Sequence, residues 1–149
     1  MTVPMAYRRA SQLFDGFLAD AAQEAGLVTT NQAYTMVDGV LRVFGRRLDA
    51  TEAIAFAQAL PPLLRALFVE GLGPERAPAA SWDRALMSRE VQGLRRHHNF
   101  APDSAIGDVA AALRRYVDVA AFDACLARLP PEAADFWAVP PAPANAPQP

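Results

Sequence analysis

The chain has 149 residues, of which 52% are hydrophobic and 20% charged, a balance typical of one globular domain and not of a disordered chain. Its formal charge of −2 argues against a protein that binds nucleic acid through its overall electrostatic field. Cys125 is the single cysteine, which excludes an internal disulfide and a metal centre built from several cysteines.

The N-terminal sequence and the hydropathy predict a cytoplasmic protein. The opening residues, Met-Thr-Val-Pro-Met-Ala-Tyr-Arg-Arg, lack the apolar stretch of a secretory signal. No apolar run approaches the length that a helix needs to cross a bilayer.

The chain begins with two predicted amphipathic helices. Apolar residues recur at three- and four-residue spacing over about residues 11–25, and Gly26 is suited to end that helix in the left-handed conformation. Residues 29–31, Thr-Thr-Asn, are typical of a helix start. The second helix carries an apolar stripe made of Tyr34, Val37, Leu41, Phe44 and Leu48. Gly39 inside it indicates either a close helix–helix contact or an exposed position.

A third helix is predicted to begin at Asp49, because Glu52 three residues later completes a capping box. Its expected inner face consists of Ile54, Ala57 and Leu60. Arg65 and Glu70 belong to the next, shorter helix or its ends. We expect them to form a structural pair that orients the corner; the alternative is that they pair with other charges.

The same corner occurs twice, as Leu60-Pro61-Pro62 and as Leu129-Pro130-Pro131. The first proline of each pair moves the preceding leucine away from helical geometry. The second proline suits the first position of a new helix, where its missing N–H has no partner to lose. Each corner therefore predicts a helix that stops, turns sharply and restarts.

The second half predicts a similar succession. Ser81 is the expected cap of its first helix, which would carry on one face Met87, Val91, Leu94 and His98. Asn99 takes the place of Gly26 and is expected to adopt left-handed geometry. Pro102-Asp103 begins the next helix, and a third helix runs to the second corner.

These patterns predict an all-α fold of two tandem three- to four-helix repeats, packed as one pseudo-symmetric helical bundle. The repeats span residues 10–71 and 82–138, with residues 72–81 as connector. Residues 139–149 form a Pro-rich C-terminal tail, which is expected to be polyproline-like.

The duplicated corner resembles the signature of the bacterial domain-of-unknown-function family 2267, in the stretch Leu60-Pro61-Pro62-Leu63-Leu64-Arg65-Ala66-Leu67-Phe68-Val69-Glu70-Gly71. Members of that family are built as two helical repeats, each with a Leu-Pro corner and an aromatic-terminated helix. The resemblance covers about residues 10–138; it implies the fold and brings no established activity. The chain departs from the family at Ala66, where glycine is usual, near Phe68 and Val69, where tyrosines are usual, and at Leu72, where tryptophan is usual.

The most chemically suggestive run is Arg95-Arg96-His97-His98. Cations in a last helical turn stabilise the helix dipole, and this is the interpretation that the pattern favours. Phosphate or nucleic-acid contact and metal ligation by the histidines are the alternatives. Since adjacent helical residues point about 100° apart, one histidine is expected at the edge of the core and the other in solvent.

Other residues carry weaker suggestions of function. A basic surface would form if three arginine pairs merged, namely Arg46, Arg47, Arg95, Arg96, Arg114 and Arg115. The alternative is a solvated face in which the arginine stems cover apolar surface. Cys125 is expected to be a buried apolar residue, with a Cys–His pair as the alternative.

Contacts with a protein partner are predicted at three places. Trp82 and Trp137 belong to the core or its rim unless they are exposed, in which case they become interface residues. The tail is either a polyproline ligand or a solubilising end. The candidate partner contacts are therefore Arg95, Arg96, His97, Trp82, Trp137, Pro140, Pro141 and Pro143.

The sequence contains no phosphate loop, no dinucleotide fingerprint and no histidine–carboxylate metal pattern, so we expect no cofactor, metal or catalytic residue. The expected function is a non-enzymatic protein-interaction or accessory subunit with a protein partner. One alternative is a nucleic-acid-associated protein that uses the arginine-rich faces. A small-ligand binder or an enzyme of unknown type is the second alternative.

Overall fold

The computed structural model describes residues 1–73, 78 and 81–139, and the regular secondary structure within them is all helical. The nine α-helices of this part are α1 (Met5–Arg8), α2 (Ala10–Ala25), α3 (Thr30–Gly45), α4 (Ala50–Gln58), α5 (Pro62–Glu70), α6 (Arg84–Gly93), α7 (Ala105–Leu113), α8 (Val119–Leu126) and α9 (Glu132–Phe136). A 3₁₀ turn, Arg96–His98, follows α6. The predicted all-α class is confirmed. The predicted tail contacts Pro140, Pro141 and Pro143 lie outside the described residues.

Helix boundaries in the first half follow the predicted capping signals. Thr29 accepts the backbone N–H of Gln32 to begin α3, and Asp49 accepts that of Glu52 to begin α4, each as a capping box. Gly26 ends α2 at φ 68°, in the left-handed conformation that glycine adopts without steric strain. The two local signals, polar cap and terminal glycine, are therefore sufficient to place these ends.

The start and end of α6 differ from the prediction. Asp83, and not Ser81, caps the helix by accepting the N–H of Leu86 at 2.8 Å. Asn99 is extended (φ −110°) and not left-handed; its amide donates to the carbonyls of Val91 and Leu94, both at 2.7 Å. The asparagine thus satisfies the end of α6 from outside the helix, and Arg95 takes the left-handed position instead, at φ 51°.

The inner face of α4 contains two of the three predicted residues, Ala57 and Leu60, but not Ile54. Ile54 was expected in the core but is 60% exposed. The buried positions are Ala53, Phe56, Ala57 and Leu60, which have the i, i+3, i+4, i+7 spacing of one helical face. Ile54 therefore belongs to the solvent side of α4.

The first Pro-Pro corner is held together by Arg65. Pro61 is extended and Pro62 is the first residue of α5, as the sequence predicts. The Arg65 guanidinium donates to the carbonyls of Ala57 (3.1 Å) and Leu60 (3.0 Å), which lie where α4 ends. Arg65 thus orients the corner through carbonyl groups, and not through an ion pair with Glu70.

Both halves contribute to one core. The N-terminal helices pack crosswise on the C-terminal ones, α2 on α7 and α3 on α6. Gly39 permits the second contact, because a Cβ there would lie 3.2 Å from both Cγ1 and the carbonyl oxygen of Val91. If the two halves are related by a two-fold axis, the contact of α2 with α7 is equivalent to the contact of α3 with α6. That the halves arose by duplication stays a prediction.

Candidate functional site

A solvent-open groove of about 670 Å³ runs between α6 and α7. Arg84 and Ser88 line it from α6, and Gly107 and Asp108 line it from α7. Three further segments close its ends, contributing Glu24, Asp103, Ser104, Asp135, Ala138 and Val139. The groove therefore collects residues from both halves of the chain around the N-terminal end of α6.

Arg84 provides the positive charge of the groove. Its guanidinium donates to the carbonyl of Phe136 at 3.1 Å and lies 5.8 Å from the centroid of the Phe136 ring. Partial burial lowers the pKa of Arg84 from its ordinary value, and the nearby charge of Asp135 opposes this shift. A Cβ at Gly107 would lie 3.8 Å from Nη2 of Arg84, so the glycine leaves open space beside the guanidinium.

Carboxylates outnumber this cation. The lining holds Glu24, Asp103, Asp108 and Asp135 against Arg84, a net charge of −3 when all are ionised. Burial raises the pKa of Asp108, the charge of Glu24 adds to the shift, and a hydrogen bond from the Ser104 hydroxyl at 2.6 Å opposes it. The groove is thus acidic, with one arginine fixed near α9.

The groove continues along α6 toward its C-terminal end. A second depression of about 640 Å³ shares Arg84, Ser88 and Asp103 with the first and adds Arg89 and Gln92. Gln92 spans this depression by donating to the carboxylate of Asp103 at 2.9 Å and to the carbonyl of Ala101 at 3.1 Å. Together the two depressions form one elongated surface, which we call the α6 groove.

The predicted Arg95–His98 run follows α6 in the chain, and Arg95 lines a separate depression with Thr35, Asp38 and Arg42 of α3. The run was expected in the last turn of the helix, but α6 ends at Gly93 and Arg96–His98 form a separate 3₁₀ turn. Arg95, Arg96, His97 and His98 are all exposed, which also corrects the expectation that one histidine reaches the core. None of the four forms an ion pair with a described residue. We call residues 95–98 the cationic turn.

The other two arginine pairs are engaged with carboxylates. Arg47 is 3% exposed and makes a two-pronged contact with Glu90, at 2.7 and 3.0 Å. Arg114 pairs with Asp123 at 3.0 Å, and Arg115 pairs with Glu24. Arg46 is 3.7 Å from Glu90. The six arginines therefore do not supply six free charges to one surface.

The two tryptophans differ in exposure. Trp137 is fully buried, so its place among the predicted partner contacts is wrong. Its ring lies within 5.9 Å, centroid to centroid, of four rings, those of Phe44, Phe56, Phe122 and Phe136. Trp82 is half-buried, with its centroid 6.0 Å from that of Phe44. It lies at the rim of the core.

Cys125 is buried, as predicted, and is not joined to a histidine. Its thiol donates to the carbonyl of Ala55 at 3.4 Å, while both histidines lie in the exposed cationic turn. Burial raises the pKa of Cys125, which disfavours the reactive thiolate, although Arg128 opposes the shift. Among the described residues, no three His, Cys, Asp or Glu side chains are grouped so as to hold a metal ion.

Residues 14–136 match the family model described as "Uncharacterized conserved protein (DUF2267)". The chain belongs to the DUF2267 family. None of the curated proteins matches it. The match covers all helices from α3 to α9 and most of α2. In the part of this DUF2267 chain that the structure describes, none of the helices has the length and apolar character needed to cross a bilayer.

The groove of this DUF2267 protein is not predicted by any sequence motif. Arg84, Asp108 and Asp135 are far apart in the chain and follow no motif, so only the packing of α6, α7 and α9 brings them together. One local signal exists, because Gly107-Asp108 interrupts an otherwise apolar helix between Ile106 and Val109. A glycine and a charge at adjacent helical positions indicate a side that is not packed against the core.

Proposed function

We propose that this protein is a non-enzymatic interaction or accessory subunit, and that the α6 groove receives a segment of a protein partner. The elongated shape of the groove supports this proposal. Two depressions sharing Arg84, Ser88 and Asp103 follow one helix, and such a surface suits an extended segment or a helix better than a compact molecule.

The charge of the groove indicates the chemistry of that segment. The α6 groove holds four carboxylates and two guanidiniums, those of Arg84 and Arg89. Glu24 pairs with Arg115, whereas Asp135 makes no ion pair within the described residues. A segment carrying arginine or lysine would complement this charge, which favours the rate and specificity of association. Arg84 can in addition contact a carbonyl or carboxylate of the bound segment.

Small-ligand binding is the second candidate. The 670 Å³ of the first depression falls within the range of about 300–1,000 Å³ that is common for ligand pockets. Against it stands the open form of the groove, which leaves a small molecule largely in contact with water.

The nucleic-acid alternative now depends on a smaller set of residues. Arg47, Arg114 and Arg115 are engaged with carboxylates, so of the three pairs only Arg95-Arg96 makes no ion pair with a described residue. Binding through it would weaken steeply with salt and would be lost on reversal of Arg95 and Arg96.

The proposal is tested by reversing one exposed charge of the groove. Tagged wild type, Asp135→Lys and Asp15→Lys are purified from the native host, and the bound proteins are compared by mass spectrometry. Asp15 is an exposed carboxylate on α2 outside the groove and serves as the matched control. We expect a bound protein that Asp135→Lys loses and Asp15→Lys retains. An identical set of bound proteins with all three would reject the groove as the binding site.

A further inference from the structure

The cationic turn is held in an unusual backbone conformation. Arg95 has φ 51°, and among the described residues it is the one non-glycine residue with positive φ. Side chains with a Cβ rarely adopt this conformation, and such outliers are common at binding sites. It lets the chain leave α6 at once and present Arg95, Arg96 and His97 to solvent.

The opposite charge lies at the other end of the same helix. Arg84, the first residue of α6, lines the depression that also holds Glu24, Asp108 and Asp135. The cationic turn begins two residues after Gly93, the last residue of α6. The helix has ten residues and is therefore about 15 Å long, so the turn and the acidic end of the groove are held apart within one molecule.

The outer face of α6 carries two small residues with one long, exposed side chain between them. It consists of Ala85, Arg89 and Gly93, at i, i+4 and i+8, with Leu86 beside them at 37% exposure. A Cβ at Gly93 would meet no atom of the described residues within 4 Å, so no contact in that part of the chain accounts for a glycine there. The two small residues leave room on either side of Arg89 for another helix.

We propose that two copies of this chain associate through α6, with the cationic turn of each copy in the acidic end of the partner's groove. Two α6 helices packed antiparallel across a two-fold axis bring each turn beside the carboxylates of the other copy, and the contact is then made twice. Arg89 of each copy lies near the middle of this contact, where Asp103 lines the same depression. A second copy is selected as the occupant because the two ends of α6 carry complementary charge, the carboxylates of the groove at one end and the cationic turn at the other.

This inference rests on the proposed function, because it names the partner segment that the groove receives. It is tested on the full chain by sedimentation velocity at low and high salt. We expect a reversible dimer that weakens with salt. Reversal of the turn, Arg95→Glu with Arg96→Glu, or of the groove, Asp103→Arg with Asp135→Arg, is expected to raise the dissociation constant at least about tenfold. Arg8→Glu with Arg9→Glu, an equal charge change on exposed residues near α1, is expected to leave it unchanged.

The decisive measurement mixes the two reversed variants. Each is expected to be monomeric alone, because its turn and its groove carry the same charge. The mixture is expected to form a heterodimer, because both of its turn–groove contacts then join opposite charges. A wild type that stays monomeric at low salt, or a dimer that survives both reversals, would overturn the inference. Nucleic acid that copurifies with the wild type, and is lost on reversal of the turn, would overturn it in favour of a nucleic-acid site.

A photo-cross-linking amino acid at Ala85, introduced in the native host, separates this inference from the proposed function. A cross-link to a second copy of the chain supports both. A cross-link to a different protein overturns the inference and leaves the groove as a protein-docking site. The absence of any cross-link, at a position exposed on α6, counts against both.

Discussion

Two helical glycines in this protein have opposite surroundings. Substituting each of them by alanine therefore distinguishes the effect of packing from the effect of helix propensity. An added Cβ at Gly39 would lie 3.2 Å from the backbone of α6, whereas one at Gly93 would lie in open space. We expect Gly39→Ala to lower the free energy of unfolding by about 1 kcal/mol or more, because the clash exceeds the gain in helix propensity. Gly93→Ala should raise it by about 0.5–1 kcal/mol. Urea unfolding measures both, and equal effects would mean that α3 and α6 are not in close contact.

Tyr116 is the residue from which a pH dependence is expected. Its hydroxyl donates to Asp20 at 2.7 Å, and burial, this hydrogen bond and the charge of Asp20 raise the pKa of Tyr116 to about 12, with Arg115 opposing. The unfolded chain then releases this proton at lower pH than the folded one, so stability is lost as pH rises from 10.0 to about 12. All fourteen basic residues are arginine, so no lysine titrates in this range.

Urea unfolding of wild type and Tyr116→Phe between these two pH values tests the assignment. The variant is expected to be less stable than wild type at neutral pH, because it lacks the hydrogen bond to Asp20, and to lose less stability on going to alkaline pH. Parallel losses in the two proteins would assign the alkaline transition to other groups.

At the scale of elements, the buried Arg47 joins α3 to α6. Its guanidinium donates to Glu90, to the carbonyl of Ser81 at 2.6 Å and to that of Val43 at 2.8 Å. We expect Arg47→Met to lower the free energy of unfolding by about 3 kcal/mol, because Glu90 and the Ser81 carbonyl lose their donor. Arg46→Met is the matched control and should change it by less than about 0.5 kcal/mol, since Arg46 is half exposed and 3.7 Å from Glu90.

A double variant distinguishes an unpaired charge from lost packing. Arg47→Met combined with Glu90→Leu removes both members of the ion pair, so no carboxylate is left without its main partner. We expect this double variant to recover much of the stability that Arg47→Met alone loses. If the double variant is no more stable than Arg47→Met, the loss arises from packing and not from the ion pair.

Local signals in this sequence predict elements better than they predict surfaces. Gly26, the Asp49 capping box and Pro62 act within a few residues, and each places a helix end correctly. The burial of Trp137 excludes it as a candidate partner contact, whereas Ile54 is assigned wrongly because its exposure depends on which helix lies opposite, which periodicity does not contain. The α6 groove is missed for the same reason, since Asp135 meets Arg84 only after α9 has docked.

At the scale of the whole molecule, the core depends on both halves at once. Trp137, near the end of the second half, lies 5.4 Å from Phe44 and 5.5 Å from Phe56, which belong to α3 and α4. The crosswise contacts of α2 with α7 and of α3 with α6 join the halves again. Neither half can bury its apolar faces alone, so the two corners and their helices form a single cooperative unit.

We therefore expect fragments 1–73 and 81–149 to lack cooperative unfolding when separate and to assemble when mixed. Both tryptophans, Trp82 and Trp137, belong to the second fragment, so its fluorescence reports the assembly directly. Emission should shift to shorter wavelength on addition of the first fragment, because Trp137 leaves water and enters the ring cluster around Phe44. Helical circular dichroism of the mixture should exceed the sum of the parts. Cooperative unfolding of either fragment by itself would contradict a shared core and would make each half a domain of its own.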